Sequence, residues 1–296
     1  MDLQQMRYAV ALAETRHFTR AAERCGVVQS SLSHGIAALE RELGVTLFAR
    51  SSRRVEPTGA GEAFVGRARG CLAAADLAVA DAVAATGVLR GRLGVGVIVT
   101  TAAVDVPELL QRYRGRHPQV RVALRSGRSD ELVAAVRDGG LDIAFVGLPE
   151  GELPAGVEYV ALDHDAHVLV APSAHRLAGA SRVTLREIAE ETFVDFVAGT
   201  PGRAQSDRAF TAAGLVRDVA YEVGVVELIT GLVARGLGVA LLPSAFVRPV
   251  VAADPGLALV PVADGPRRVE HLAWSRFNPS PATLAMLDVL GVRRPA

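Results

Sequence analysis

The chain has 296 residues, 50% of them hydrophobic and 22% charged, which is enough apolar mass for packed cores and too much for a disordered chain. Its 32 basic residues, all Arg, balance 32 acids, so no whole-protein field points to a polyanionic partner. Two cysteines, Cys25 and Cys71, exclude a disulfide framework, a CxxC redox motif and a cysteine zinc site. Three zones follow one another. Residues 1–58 carry eight Arg and six acids and show helical periodicity. Leu3, Met6, Val10 and Ala13 share the inward face of a first helix. Phe18 plugs the core, and Thr19 N-caps a second short helix over 20–25 that holds the small pair Ala21 and Ala22. Gly26 marks a turn. A third helix runs over 29–43 with Leu32, Ile36, Leu39 and Leu43 inward, stopped by Gly44. Helix, tight turn and helix with small residues at the crossing is a helix-turn-helix pattern.

Residues 59–87 contain no Pro. Phe64, Ala68, Cys71, Ala75, Ala78, Ala82 and Ala85 recur at alternating spacings of four and three, an a/d seam of nearly all small residues. Such a stretch either packs on its own domain or pairs with a second copy. Its length, beyond that of a usual globular helix, favours a dimerising helix.

From Leu93 onward short β-like runs alternate with helix-like runs. Strands are expected at 93–99, 120–125, 141–146, 167–171, 193–197, 219–223 and 237–242. Helices are expected at 104–117, 129–138, 205–213 and 225–235, and Thr184 to Glu187 reads as a capping box. The alternation argues for parallel sheets covered by helices, in two subdomains. The Pro/Gly-rich stretches 149–156 and 261–268 are candidate crossovers between them. Gly94-x-Gly96 lies inside a strand and lacks the third glycine of a dinucleotide fingerprint. Asp163, His164, Asp165 and His167 are dense in potential ligands, but strand alternation points neighbours apart, so no metal is expected. No apolar run reaches the roughly 18 residues of a membrane span, and the N-terminus does not read as a signal peptide. The expectation is a cytoplasmic protein without a cofactor.

The segment FTRAAERCGVVQSSLSHGIAALERELGVTLFARSSRRVEPTGAG, from Phe18, resembles the winged helix-turn-helix of LysR-type transcriptional regulators. GRLGVGVI at Gly91, LDIAFVGLP at Leu141 and GLVARGLGVALLP at Gly231 resemble successive parts of the family's effector domain. The resemblance implies a DNA-binding domain over 1–58, a linker helix over 59–90 and an effector domain over 91–296. It implies an α/β fold in which a winged helix-turn-helix precedes two Rossmann-like subdomains of the type 2 periplasmic-binding-protein kind. The chain would pass to the second subdomain near Leu162 and return near Arg268, where residues 270–274 complete the first sheet. The partners implied are double-stranded DNA with a pseudo-palindromic operator, a small effector and further copies in a dimer or tetramer, with RNA polymerase a candidate and no membrane. A periplasmic-type binding protein and an α/β enzyme are the alternatives. The helix-turn-helix argues against the first, and the absence of a catalytic constellation against the second.

The third helix presents Gln29, Ser30, Ser31, Ser33 and His34 early and outward, where base edges are read. Arg50, Arg53 and Arg54 fall where the family has its wing, suited to phosphates and a narrow minor groove. Residues 16–54 carry seven Arg and three acids, a local positive field. Phe64, Ala68, Cys71, Ala75, Ala78 and Ala82 would hold the dimer. Three departures from the family are visible, one of them Gly59 in place of a Pro common at the start of the linker helix. Val28 replaces the usual hydroxyl N-cap, and Gly35 replaces a long polar residue, removing one possible DNA contact. Open α/β sheets bind ligands beyond the carboxyl ends of their strands. Those ends supply Thr100, Thr101, Arg128, Ser129 and Gly147, with Thr200 and Arg203 closing the cleft. Hydroxyls and helix N-termini there favour a small anion. Ser129 is either a cap or a ligand contact. Arg128 either pairs with a carboxylate or points into solvent.

Overall fold

The computed structural model describes residues 1–50, 55–84, 89–277 and 279–292. Asp2 opens α1 (Leu3–Thr15): its carboxylate accepts the Gln5 N–H at 2.8 Å, and the Asp2 N–H donates back to the Gln5 side chain at 3.1 Å. α2 (Phe18–Cys25) and α3 (Gln29–Leu43) complete a three-helix head. Its core is built from Tyr8, Ala9, Leu12, Ala21, Ala22, Leu32, Ile36 and Leu39.

The buried stripe of α1 is not the expected one. Ala9 and Leu12 are fully buried while Leu3 is 42% exposed. Small residues win because α2 brings Ala21 and Ala22 against α1, and three backbones can approach closely only through alanines. α2 begins at Phe18, one residue before the expected cap Thr19. His17 holds the extended N-cap position without a side-chain bond, and Phe18 packs on the core. Leu43, expected inward, is 38% exposed in the last turn of α3, beyond the contact made by Leu39.

β1 (Phe48–Arg50) and β2 (Val55–Pro57) pair antiparallel with Phe48 opposite Pro57. The expected wing residues Arg53 and Arg54 at the tip lie outside the described residues. The Glu40 carboxylate on α3 accepts the Leu47 and Phe48 N–H groups at 2.8 and 3.0 Å, tying this hairpin to the third helix.

α4 (Gly59–Ala84) is one helix of 26 residues. Its first turns belong to the head: Val65 and Ala68 are buried, Phe64 packs on the three-helix core, and Arg69 pairs with Glu14 of α1 at 3.1 Å. Phe64 and Ala68 of the expected seam thus already touch their own head, Ala68 buried and Phe64 half-buried. From Cys71 onward one side of the helix is half-buried, with Ala73 close to Gly139, and the other side is open. Cys71, Ala78 and Ala82 are exposed, Ala75 is half-buried, and Val79 is 66% exposed. Ala85 lies outside the described residues.

β3 (Gly91–Val97) pairs in parallel with β4 (Val120–Ser126) and β5 (Ile143–Pro149). α5 (Val106–Arg116), capped by Asp105, and α6 (Ser129–Arg137) make the crossovers. β6 (Glu158–Pro172) is a strand of 15 residues that serves both halves. Its residues 158–166 pair with β11 (Arg267–Trp274), and 167–172 pair with β9 (Ala240–Pro243) and β10 (Leu257–Pro261). The chain thus crosses inside a strand at Ala166 and His167. The stretch 149–156 is no crossover; it turns β5 back into β6 within one sheet. A search for Pro and Gly cannot find a crossing made by continuous β pairing.

The sheet is mixed, with the order β10-β6-β11-β5-β3-β4 and β9 added on β6. Parallel pairing is kept by β3, β4 and β5, and by β7 (Thr192–Asp195) with β8 (Asp218–Glu222). Strands β6 and β11 run antiparallel to their neighbours because they carry the chain out and back. The Thr184–Glu187 capping box forms and opens α7 (Leu185–Ile188). α8 (Pro201–Ala212) starts four residues before its expected position, with Pro at its first turn. α9 (Val226–Ala234) follows. Two helices escaped the periodicity: α10 (Ser244–Ala253), which contains Pro249, and α11 (Pro281–Leu290). Met286 and Leu287 of α11 close the core around Tyr113 and Trp274.

Candidate functional site

The first turns of α3 leave Gln29, Ser30, Ser31 and His34 exposed and Ser33 half-buried, while Leu32, Ile36 and Leu39 on the other face are fully buried. Val28 stands at the N-cap with no side-chain bond, as its apolar side chain requires. Gly35 has a packing reason that the sequence did not disclose. A Cβ there would lie 2.7 and 2.8 Å from two ring carbons of Tyr8, so the missing side chain lets α1 close on α3. Arg50 ends β1 beside the undescribed tip.

The second site is a cleft of about 270 Å³ beyond the carboxyl ends of β3, β4 and β5, closed from the other half by the start of α8. Of the seven residues expected there, Thr100, Arg128, Ser129, Gly147 and Thr200 line it; Thr101 and Arg203 do not. The hydroxyls are committed. Ser129 Oγ donates to the Gly147 carbonyl at 2.9 Å and accepts its N–H at 3.2 Å, binding α6 to β5. Thr200 donates to the Val197 carbonyl at 2.8 Å and Thr101 to the Ile98 carbonyl at 3.0 Å.

Arg128 turns to its own loop. Its Nε and Nη2 donate to Asp130 at 3.2 and 3.0 Å, and this hydrogen bond is the largest cause of an Asp130 carboxyl held below its ordinary range. Arg203 is turned away from the cleft. It donates to Asp207 at 2.9 Å, Glu222 at 3.0 Å and the Phe196 carbonyl at 3.1 Å. The surplus of carboxylates there draws it inward, since Asp195 is already paired with buried Arg217 at 2.6 Å. Both Arg128 and Thr200 occupy N-caps without a side-chain bond; the Asp130 carboxylate leans on the first N–H groups of α6, and behind Pro201 the Gly202 and Arg203 N–H groups open α8 without a capping side chain.

Sequence reasoning placed Arg268 at a crossover and missed it as a site residue. It lines the cleft at 3% exposure, with Nη1 donating to Thr100 Oγ1 at 2.8 Å and Nη2 to Glu270 at 2.6 Å. The available signal was Arg268 and Glu270 two apart on a strand otherwise rich in apolar residues, which puts both charges on one face. His167 also lines the cleft. Burial first, then Arg268, pushes its pKa down to about 3, and its neutral ring donates from Nδ1 to the Pro266 carbonyl at 3.2 Å. Asp163, His164, Asp165 and His167 do not converge, and no metal-holding group of His, Cys, Asp or Glu occurs among the described residues. Cys25 is half-buried, its thiol pushed up by burial, and Cys71 is exposed. No helix of the described residues is long and apolar enough to cross a membrane.

Residues 3–62 match the bacterial regulatory helix-turn-helix protein, lysR family, and residues 86–293 match the LysR substrate binding domain. The chain is 33% identical over 293 residues to the HTH-type transcriptional regulator ShiR of Corynebacterium glutamicum, covering 98% of each. It is 34% identical over 263 residues to a probable hydrogen peroxide-inducible genes activator of Mycobacterium avium, covering 87% of this chain and 82% of the relative. A cysteine-to-aspartate variant of full-length OxyR from Pseudomonas aeruginosa superposes with a TM-score of 0.76 at 30% identity, over 98% of this chain and 94% of that one. With an open-faced third helix at one end and a two-sided cleft at the other, both inside the matched spans, the chain belongs to the LysR family of DNA-binding transcriptional regulators.

Proposed function

We propose that residues 1–58 read a pseudo-palindromic operator, that 59–90 hold two copies together, and that 91–296 take a small effector between their two halves. Effector binding shifts the angle between the halves and so between the DNA-reading heads, a population shift and not catalysis. The observation that carries this reading is the third helix, with polar side chains free on its first turns and three fully buried apolar residues behind them. Gln29 can pair bidentately with adenine, so Gln29→Ala is expected to cost about 1–3 kcal/mol of discrimination between operator and random DNA. Titrating both DNAs in gel-shift assays checks this, and equal losses on the two would remove Gln29 from base reading.

The dimer is assigned to the open part of α4. Ala78 is exposed in the single chain, so Ala78→Glu leaves the fold alone but places a charge where a close seam would desolvate it. Sedimentation should show fewer dimers, and an unchanged assembly would mean that this face does not meet a second copy.

The effector is read as a small carboxylate held by the N–H groups that open α8, with Ile98, Phe196 and Val197 as apolar wall. Arg128, whose two expected roles were a ligand carboxylate or solvent, has its fork on Asp130 of its own chain and is not counted as an anchor. The peroxide response named for the mycobacterial relative is not carried to this cleft, because no cysteine follows Cys71. A cytoplasmic location follows from DNA as the partner.

A further inference from the structure

Asp165, Arg268 and Glu270 meet where β6 and β11 carry the chain between the halves, with side chains only 5%, 3% and 3% exposed. Each carboxylate grips a different half. Glu270 accepts the Ala102 and Ala103 N–H groups at 3.1 and 3.2 Å, in the loop that follows β3. Asp165 accepts the Ala245 N–H at 3.2 Å, in the first turn of α10. Arg268 stands between them, its Nη2 2.6 Å from Glu270 and 3.4 Å from Asp165. The same nitrogen donates to the Thr100 carbonyl at 2.9 Å, and Nη1 to the Thr100 hydroxyl, on the wall of the cleft.

One buried cation therefore faces two buried carboxylates and cannot serve both equally. The two distances show that it favours Glu270. A guanidinium 2.6 Å from one carboxylate and 3.4 Å from the other, with its buried Nε left without a partner, has a second acceptor within reach, which is what a switch needs. Burial holds the Glu270 carboxyl above its ordinary range even with the guanidinium beside it, so this arm is the one held against its own desolvation.

We propose that Arg268 couples the cleft to the angle between the halves: a ligand that takes its hydrogen bonds from Thr100 moves the guanidinium off Glu270 towards Asp165, and α10 moves with respect to the loop after β3. The inference rests on the cleft being the effector site, but its core, coupling of the two carboxylates through Arg268, exists without ligand.

Hydrogen exchange of ligand-free, full-length protein tests it. Glu270→Gln weakens the grip on Ala102 and Ala103, and their amides should exchange about tenfold faster. The coupling adds that the Ala245 amide, in the other half and without contact to Glu270, should also change severalfold as Arg268 turns to Asp165. Asp165→Asn should likewise alter Ala102 and Ala103. If each variant changes only the amides its own residue holds, the coupling is wrong. Should Glu270→Gln fail to fold, Thr100→Val removes the Nη1 acceptor from the cleft side. Its Ala245 exchange must then differ from wild type, and an identical rate overturns the proposal. No effector is used, so a negative result leaves the cleft reading standing; that reading fails separately if no small carboxylate in a calorimetric panel binds.

Discussion

Arg268→Met is expected to destabilise the effector region by about 3–5 kcal/mol, because it leaves Asp165 and Glu270 buried without their cation. Methionine keeps much of the volume, so charge and not a cavity dominates the loss. The effect should depend on pH with a definite sign. In the wild type Glu270 already has a raised pKa, chiefly from burial, so its folded state binds a proton more tightly than its unfolded state. Stability from this group is complete below the ordinary value of 4.5 and is lost as pH rises through the raised folded value. Removing Arg268 takes away the main influence that lowers it, so the window widens upward. The deficit of the variant should shrink as the buffer is made acidic. Asp163, His164 and His167 lie on the facing strand, and His167 stays neutral until about pH 3, so it does not blur this trend. Trp274 is the sole tryptophan and sits buried on the same strand as Arg268, which makes its fluorescence in urea a direct reporter. A loss of the same size from pH 5 to pH 8 would show that the two carboxylates are not held by Arg268.

Gly61→Ala should disable the head while sparing the effector region. A Cβ at Gly61 would stand 2.0 Å from the Leu47 carbonyl oxygen and 3.0 Å from its carbon, both backbone atoms. That carbonyl cannot swing aside freely, because it accepts the Thr58 N–H at 2.9 Å, while the Thr58 hydroxyl accepts the Gly61 N–H at 3.0 Å. The start of α4 and the hairpin must separate to admit the methyl. We expect a cost of about 2–3 kcal/mol, at the upper end for overpacking because backbone must move. Operator affinity should fall at temperatures where the Trp274 signal, which reports only the other region, is unaltered. Unchanged affinity would mean that the head tolerates a different seating of α4.

Much of the candidate site was legible because strand ends and helix starts follow from periodicity. Thr100, Ser129 and Gly147 were placed at the cleft by the order of β3, α5, β4, α6 and β5 together with the two-subdomain cleft that the family resemblance implies. The orientation of long charged side chains was not legible. Arg128 and Arg203 each had the right position in the chain, yet Asp130 claims one, and Asp207 with Glu222 the other. These choices are made by carboxylates brought near by folding, and electrostatics over 3 Å leaves no periodic trace in the sequence.

The sequence by itself determined the three-helix head, the long small-residue helix and the α/β alternation. Each is written in local spacing, with apolar residues at helical or strand periods and caps at their ends. Only the tertiary structure decided which small residues could be core, where one strand joins two halves, and that Arg268 sits between two buried carboxylates. Close approach at Gly35 and Gly61, continuous pairing along β6 and the sharing of one cation are properties of distance between segments far apart in the chain. Burial makes those distances energetically decisive, because an unpaired charge or an extra methyl costs kilocalories there and almost nothing in water.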